Sequence, residues 1–162
     1  MIRRSLLCTV LLLLPATQAG AEPADEVLGT WLMDTGRHRA HIDVSREGDQ
    51  YEGRISWLEE PRYPANDRRG MPGKIKVDRD NPDRALRDRP LVGLTILEGV
   101  TYDGDGRWSG TIYAPDQGRT YKGKLHLTED GVLKVRGYIG ITLLGRTMDW
   151  TRPSEAEISQ GQ

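Results

Sequence analysis

A chain of 162 residues with 23 basic and 24 acidic side chains has a net charge of −1, which is not the balance of a nucleic-acid-binding protein. Hydrophobic residues make up 36% and Cys8 is the single cysteine, so one packed core is expected and a disulfide framework is excluded.

The chain opens on Met1-Ile2-Arg3-Arg4, continues through an apolar run from Leu6 to Leu14, and reaches Pro15 and then Ala19-Gly20-Ala21. A basic start, a short apolar stretch and small residues are the pattern of a secretory signal peptide, and the run is too short to span a bilayer. Residues 1–21 are therefore expected to be a cleaved signal peptide and 22–162 a single exported domain, periplasmic or secreted, with no membrane span of its own. Cys8 falls inside the leader, so the exported domain has no thiol chemistry. Removing Arg3 and Arg4 lowers the net charge to about −3. Pro61 to Pro90 runs against this balance, with nine basic residues and five aspartates.

Period-two alternation predicts strands over Val27–Asp34, Arg39–Ser45, Tyr51–Leu58, Leu91–Glu98, Arg107–Ala114, Thr120–Leu127, Val132–Tyr138 and Arg146–Arg152. Between them stand turn sequences such as Arg46-Glu47-Gly48-Asp49, Asp103-Gly104-Asp105-Gly106, Pro115-Asp116-Gln117-Gly118 and Glu129-Asp130-Gly131, so most neighbouring strands are antiparallel. One face mixes glycine with bulky apolar residues: Tyr51-Gly53-Ile55-Trp57, Leu91-Gly93-Thr95-Leu97, Trp108-Gly110-Ile112 and Tyr121-Gly123-Leu125-Leu127. Glycine recurring on an inward face fits a strongly coiled sheet that closes on itself, ahead of a two-sheet sandwich. Lys122, Lys124, His126, Lys134 and Arg136 make the other face polar, which argues against an outer-membrane barrel with its lipid-facing apolar band.

Residues 59–89 lack alternation and are longer than an ordinary connection, which marks them as a lid or functional loop. Within it, Asn81-Pro82-Asp83 reads as a helix start, with Asn81 as N-cap, and Asp83 and Arg87 stand four apart as a favourable pair.

Candidate sites are few. His38-x-x-His41 has metal-ligand residue types, but positions three apart on a strand face opposite ways, so solvated strand histidines are the better reading and no metal or other cofactor is assigned. Asp103 to Gly106 lacks the further ligands of a calcium loop and reads as a tight turn. Glu59-Glu60 diverge in an extended chain, and no serine stands in a nucleophile motif, so no catalytic residue is assigned. The best ligand-contact candidates are Arg84, Arg87 and Arg89 near Tyr63 in the lid, suited to a carboxylate or phosphate, with Tyr113, Tyr121, Arg136 and Tyr138 at a barrel mouth. The alternative is that the lid arginines pair with Asp78, Asp80, Asp83 and Asp88 and fix its shape. Trp31, Trp57, Trp108 and Trp150 are expected in the core of a domain that has no phenylalanine.

Two resemblances follow from these residues. Gly29-Thr30-Trp31 on the first strand resembles the Gly-x-Trp signature of lipocalin-type barrels, which implies an arginine of the last strand, Arg152 or Arg146, packed on that tryptophan. More broadly, Gly53-Arg54-Ile55-x-Trp57, Asp78-x-x-Asn81-Pro82-Asp83, Trp108-x-Gly110-x-Ile112-Tyr113 and Leu144-Gly145-Arg146-Thr147-x-x-Trp150 resemble the bacterial exported family known as domain of unknown function 2147. That resemblance implies an all-β, single antiparallel eight-stranded barrel of lipocalin-like, calycin type, but no catalytic or binding residues. The expected role is an exported carrier or sensor that holds a small amphipathic or anionic ligand. The alternatives are an envelope interaction module without a cavity, meeting a protein, glycan or lipid head group, and a hydrolase or isomerase using lid acids and arginines.

Overall fold

The computed structural model describes residues 22–159. The expected signal peptide, residues 1–21, lies outside them. Eight strands close into one antiparallel barrel in chain order: β1 (Gly29–Asp34), β2 (Arg39–Glu47), β3 (Gln50–Leu58), β4 (Thr95–Gly104), β5 (Arg107–Ala114), β6 (Arg119–Leu127), β7 (Leu133–Tyr138) and β8 (Arg146–Thr151), with β8 pairing back onto β1. A short helix, α1 (Glu155–Ser159), follows. Among the described residues no helix is long and apolar enough to cross a membrane.

Closure is made possible by inward glycines. A Cβ on Gly53 would lie 2.8 Å from Leu97, one on Gly110 2.8 Å from Val100, and one on Gly123 2.7 Å from Ile112. Leu97, Val100 and Ile112 thus lie over the bare backbone of a neighbouring strand, and the interior fills there without splaying the wall.

The first predicted strand starts two residues late, because Pro23–Val27 forms a 3₁₀ turn that plugs one end of the barrel. Trp31 Nε1 donates to Val27 O at 2.8 Å, and Trp108 Nε1 to Ala24 O at 3.1 Å. Asp25 of the plug accepts from the Tyr51 hydroxyl at 2.9 Å and pairs with Arg46, which together hold the Asp25 pKa below its ordinary value. At Gly29, with φ +98°, the Arg152 guanidinium comes within 3.1 Å of where a Cβ would stand. Arg152 lies 3.6 Å above the Trp31 ring and donates to Thr30 O and Glu26 O, so it, not Arg146, is the stacking arginine.

Two irregularities displace expected residues. The β2–β3 register jumps between His41 and Ile42, pairing His41 with Trp57 but Ile42 with Ile55. The extra residue turns Trp57 outward and Leu58 inward, so Trp57 is half-exposed and not in the core, whereas Trp31, Trp108 and Trp150 are fully buried. His41 is not solvated either: it is 3% exposed on the outer wall, 4.6 Å from the Trp57 ring and opposite buried Leu32. Glu157 of α1 pairs with Arg39 beside it. The fourth strand begins at Thr95, not Leu91, because residues 91–94 belong to the lid exit, and it runs on through a bulge to Gly104. There Asp105 and Gly106 both take positive φ in a two-residue hairpin, the expected tight turn.

Candidate functional site

Chain direction places the β1–β2 loop, the 59–94 segment, the β5–β6 turn and the β7–β8 loop together at the barrel end opposite the Pro23–Val27 plug. The two ends are filled differently. At the plugged end Trp31, Trp108, Leu125 and Leu133 are 2% exposed or less, with Tyr102 and Leu127 keeping some exposure at the rim. Toward the other end the inward side chains Met33, Leu58, Tyr121 and Met148 are only half-buried. Arg146 pairs with inward Gly137 and extends this row to the rim, exposed.

Trp150 stands between the two regions. The register sets it beside Met33 on β1 and Leu133 on β7, and its ring is 1% exposed. Both plugged-end indoles have carbonyl acceptors, but among the described residues Trp150 Nε1 is buried without a hydrogen-bond partner. A buried N–H without an acceptor costs roughly 1–3 kcal/mol, so its presence in an otherwise apolar interior calls for a reason.

The 59–94 segment is fastened to the side of the barrel. Asp78 is fully buried and its carboxylate accepts from Tyr113 Oη at 2.6 Å, Asn81 Nδ2 at 2.7 Å and Arg89 Nε at 2.9 Å, with Arg89 Nη2 at 2.8 Å. Tyr113 alternates with inward Ile112, so this cluster clamps the segment onto the outer wall of β5. Burial and the hydrogen bond to Asp78 push the Tyr113 pKa up to about 12. The β5–β6 turn adds a second tie, since Gly118 is so close to Asp80 O that any Cβ would overlap it.

The sequence candidates separate accordingly. Arg89 and Tyr113 meet at Asp78, with the guanidinium 5.7 Å from the ring. Arg87 donates through Nε to Asn81 O at 2.7 Å, in place of the expected pair with Asp83. Arg84 stays exposed on a 3₁₀ turn, Arg84–Leu86. Tyr63 is buried against Arg79, 4.0 Å from its ring, and exchanges hydrogen bonds with the Val77 backbone. Tyr121 points inward and its hydroxyl donates to Gln117 at 2.5 Å, whereas Tyr113 faces out, so the two tyrosines do not share a site. Arg136 donates to Thr147 Oγ1 and Leu143 O at the root of the β7–β8 loop, and Tyr138 is half-buried beside Gly145. The cap is shifted: Asp83 accepts from Ala85 N, and Asn81 forms a turn with Asp83 N while its amide serves Asp78 and Tyr113. Pro82 holds the bend between them.

An open cleft of about 330 Å³ lies outside the barrel, lined by Arg89, Pro90, Val92, Gly93, Leu94, Thr95 and Glu98. Sequence reasoning missed Met33, Leu58 and Met148 as mouth residues and the unpartnered Trp150 nitrogen. The alternation of Met148 with Trp150 was a usable signal; the inward turn of Leu58 depends on a bulge and was not.

A protein from Helicobacter pylori, HP1028, described as belonging to the lipocalin family, has a similar structure: TM-score 0.65 and 21% identity over 83% of this chain and 88% of that one. That likeness agrees with the closed eight-stranded barrel, and the fold is lipocalin-like. No curated protein matches the chain. The family model described as "Uncharacterized protein conserved in bacteria (DUF2147)" matches residues 29–152, the whole barrel from its first strand to Arg152, and the chain belongs to that family.

Proposed function

We propose that the protein is an exported binding protein that takes a small amphipathic molecule through the open end of its barrel. The molecule's apolar part lies against Met33, Leu58, Tyr121 and Met148, and an acceptor oxygen of its polar part reaches Trp150 Nε1. The observation that carries this reading is the unpartnered Trp150 nitrogen next to a half-buried apolar mouth. Binding sites combine apolar walls with a few polar groups that fix orientation, and methionine adapts to varied ligand shapes. Arg146 at the rim suits an anionic head group. The lid arginines support that role less well, because Arg89 and Arg87 already have partners in the segment that holds them.

Native mass spectrometry of protein isolated gently from its own cells, with mild denaturation to release cargo, tests the proposal. A stoichiometric small amphiphile supports it, and Trp150→Phe, which keeps an aromatic ring but removes the N–H with the pyrrole part of the indole, should weaken retention about tenfold if that donor fixes the ligand. Empty protein that also takes up no long-chain carboxylate when titrated would contradict it. A second reading, an interaction module without a cavity, draws support from the packed interior around Trp31 and Trp108. The hydrolase or isomerase reading has less support, since the Asp78 carboxylate is already taken up by Tyr113, Asn81 and Arg89, and Arg136 lies at a different loop.

A further inference from the structure

The β7–β8 loop, Ile139 to Gly145, ends the barrel wall in a row of aliphatic side chains that no part of the described chain covers. Ile139 is 60% exposed, Ile141 61%, Leu143 83% and Leu144 78%. This exposure is held in place. Arg136 Nη2 donates to Leu143 O at 3.1 Å, Leu144 N donates to Ile141 O at 3.3 Å, and Gly145 lies so close to Gly137 O that a Cβ would come within 2.7 Å of it. A fixed backbone therefore presents these side chains outward from the mouth end.

The charge beneath the loop is one-sided. Residues 119–128 and 132–148, which supply β6, β7, the loop and the first half of β8, contain Arg119, Lys122, Lys124, Lys134, Arg136 and Arg146 and no acidic residue, and Asp149, farther from the loop on β8, pairs with Lys134. Lys122 pairs with Tyr138, next to Ile139, and Lys124 pairs with Arg136, so the cations rise along the outer wall toward the apolar tip.

We propose that this end of the barrel docks on a bilayer surface carrying anionic phospholipid head groups, with the four aliphatic side chains entering the head-group and acyl boundary and the wall cations facing the phosphates. Apolar tips beside basic residues attach to anionic bilayers through both terms, and hydrocarbon accepts aliphatic side chains without matched shape. A second copy of the chain is a poorer occupant, because pairing this face with itself opposes two cationic walls. Docking stands independently of cargo, but it would turn the mouth toward the lipid.

The test is flotation of the purified protein with vesicles of phosphatidylethanolamine and phosphatidylglycerol, or of phosphatidylcholine alone, at 50 and 500 mM salt, alongside sedimentation velocity without lipid. The expected result is binding to the anionic vesicles that falls at least tenfold at high salt and on neutral vesicles. Leu143→Asp with Leu144→Asp should reduce it at least tenfold with an unchanged circular dichroism spectrum, and Lys122→Glu with Lys124→Glu should reduce it while leaving the apolar tip intact. Trp150→Phe should bind vesicles like the parent, which separates this surface from the mouth. Absence of vesicle binding, equal binding by the loop variant, or a dimer that the loop variant dissociates would overturn the proposal.

Discussion

Two tryptophans at the plugged end and one farther up the barrel are equally buried, yet only the first two have acceptors. Trp31 and Trp108 donate to carbonyls of the 3₁₀ plug, and Trp150 donates to nothing among the described residues. The plug turn supplies carbonyls at one end of the barrel; around Trp150 the register neighbours are Met33 and Leu133, whose side chains carry no oxygen acceptor. The same ring is a structural anchor where the backbone meets its polar edge and a candidate ligand contact where it does not.

Breaking the anchored end should have the largest effect. Trp31→Ala removes a buried ring, its hydrogen bond and the platform for Arg152, and is expected to lower unfolding stability by about 3–5 kcal/mol in urea titration. A loss below about 1 kcal/mol would mean that the plug does not organise the barrel. The outer clamp comes next. Asp78→Ala leaves Tyr113, Asn81 and Arg89 without their shared acceptor and should cost about 3 kcal/mol. Limited proteolysis should then cut first within residues 59–94, and an unchanged cleavage pattern would contradict the clamp.

A pH dependence sharpens the contrast on the outer wall. Burial lowers the His41 pKa from its ordinary 6.5, facing Asp43 and Glu157 oppose that shift, and Arg39 adds to it. The unfolded chain then binds more protons near pH 6, so the His41 contribution is fully present above 6.5 and declines as pH falls through 6.5, levelling off below the folded pKa. His41→Phe should flatten the stability profile between pH 7 and 5. A profile identical to the parent's would remove His41 from that role. The smallest effect on stability is expected for Trp150→Phe, about 1 kcal/mol, because the smaller ring leaves a cavity at a buried position while removal of a donor that has no acceptor offsets part of that cost.

The fold was legible because the glycines that alternate with Ile112, Leu125 and Trp108 have a single geometric use, the close packing of a coiled sheet, and because Gly29-x-Trp31 marks the first strand. The site was less so. A bulge in β3 reverses the faces of Trp57 and Leu58 without any glycine or proline to announce it. Interleaved acids point to lid cations whose charge is satisfied within the segment, and Arg89 with Asp78, Arg69 with Asp80 and Arg79 with Asp67 show such pairing. The outward clamp at Tyr113 required knowing that the segment lies against β5. Ile139 to Leu144 read as a separator between strands, and its exposure is evident only once no other part of the described chain is seen to cover it.

A barrel whose plugged end anchors and whose open end binds is distinguished by NMR of methionine methyl groups and indole N–H groups during titration with a long-chain carboxylate. The Met33 and Met148 methyls and the Trp150 N–H are expected to shift in a saturable way, while Met71 in the lid and the Trp31 and Trp108 N–H groups hold still. Shifts confined to Met71, or none at saturating probe, would contradict a binding site at the open end.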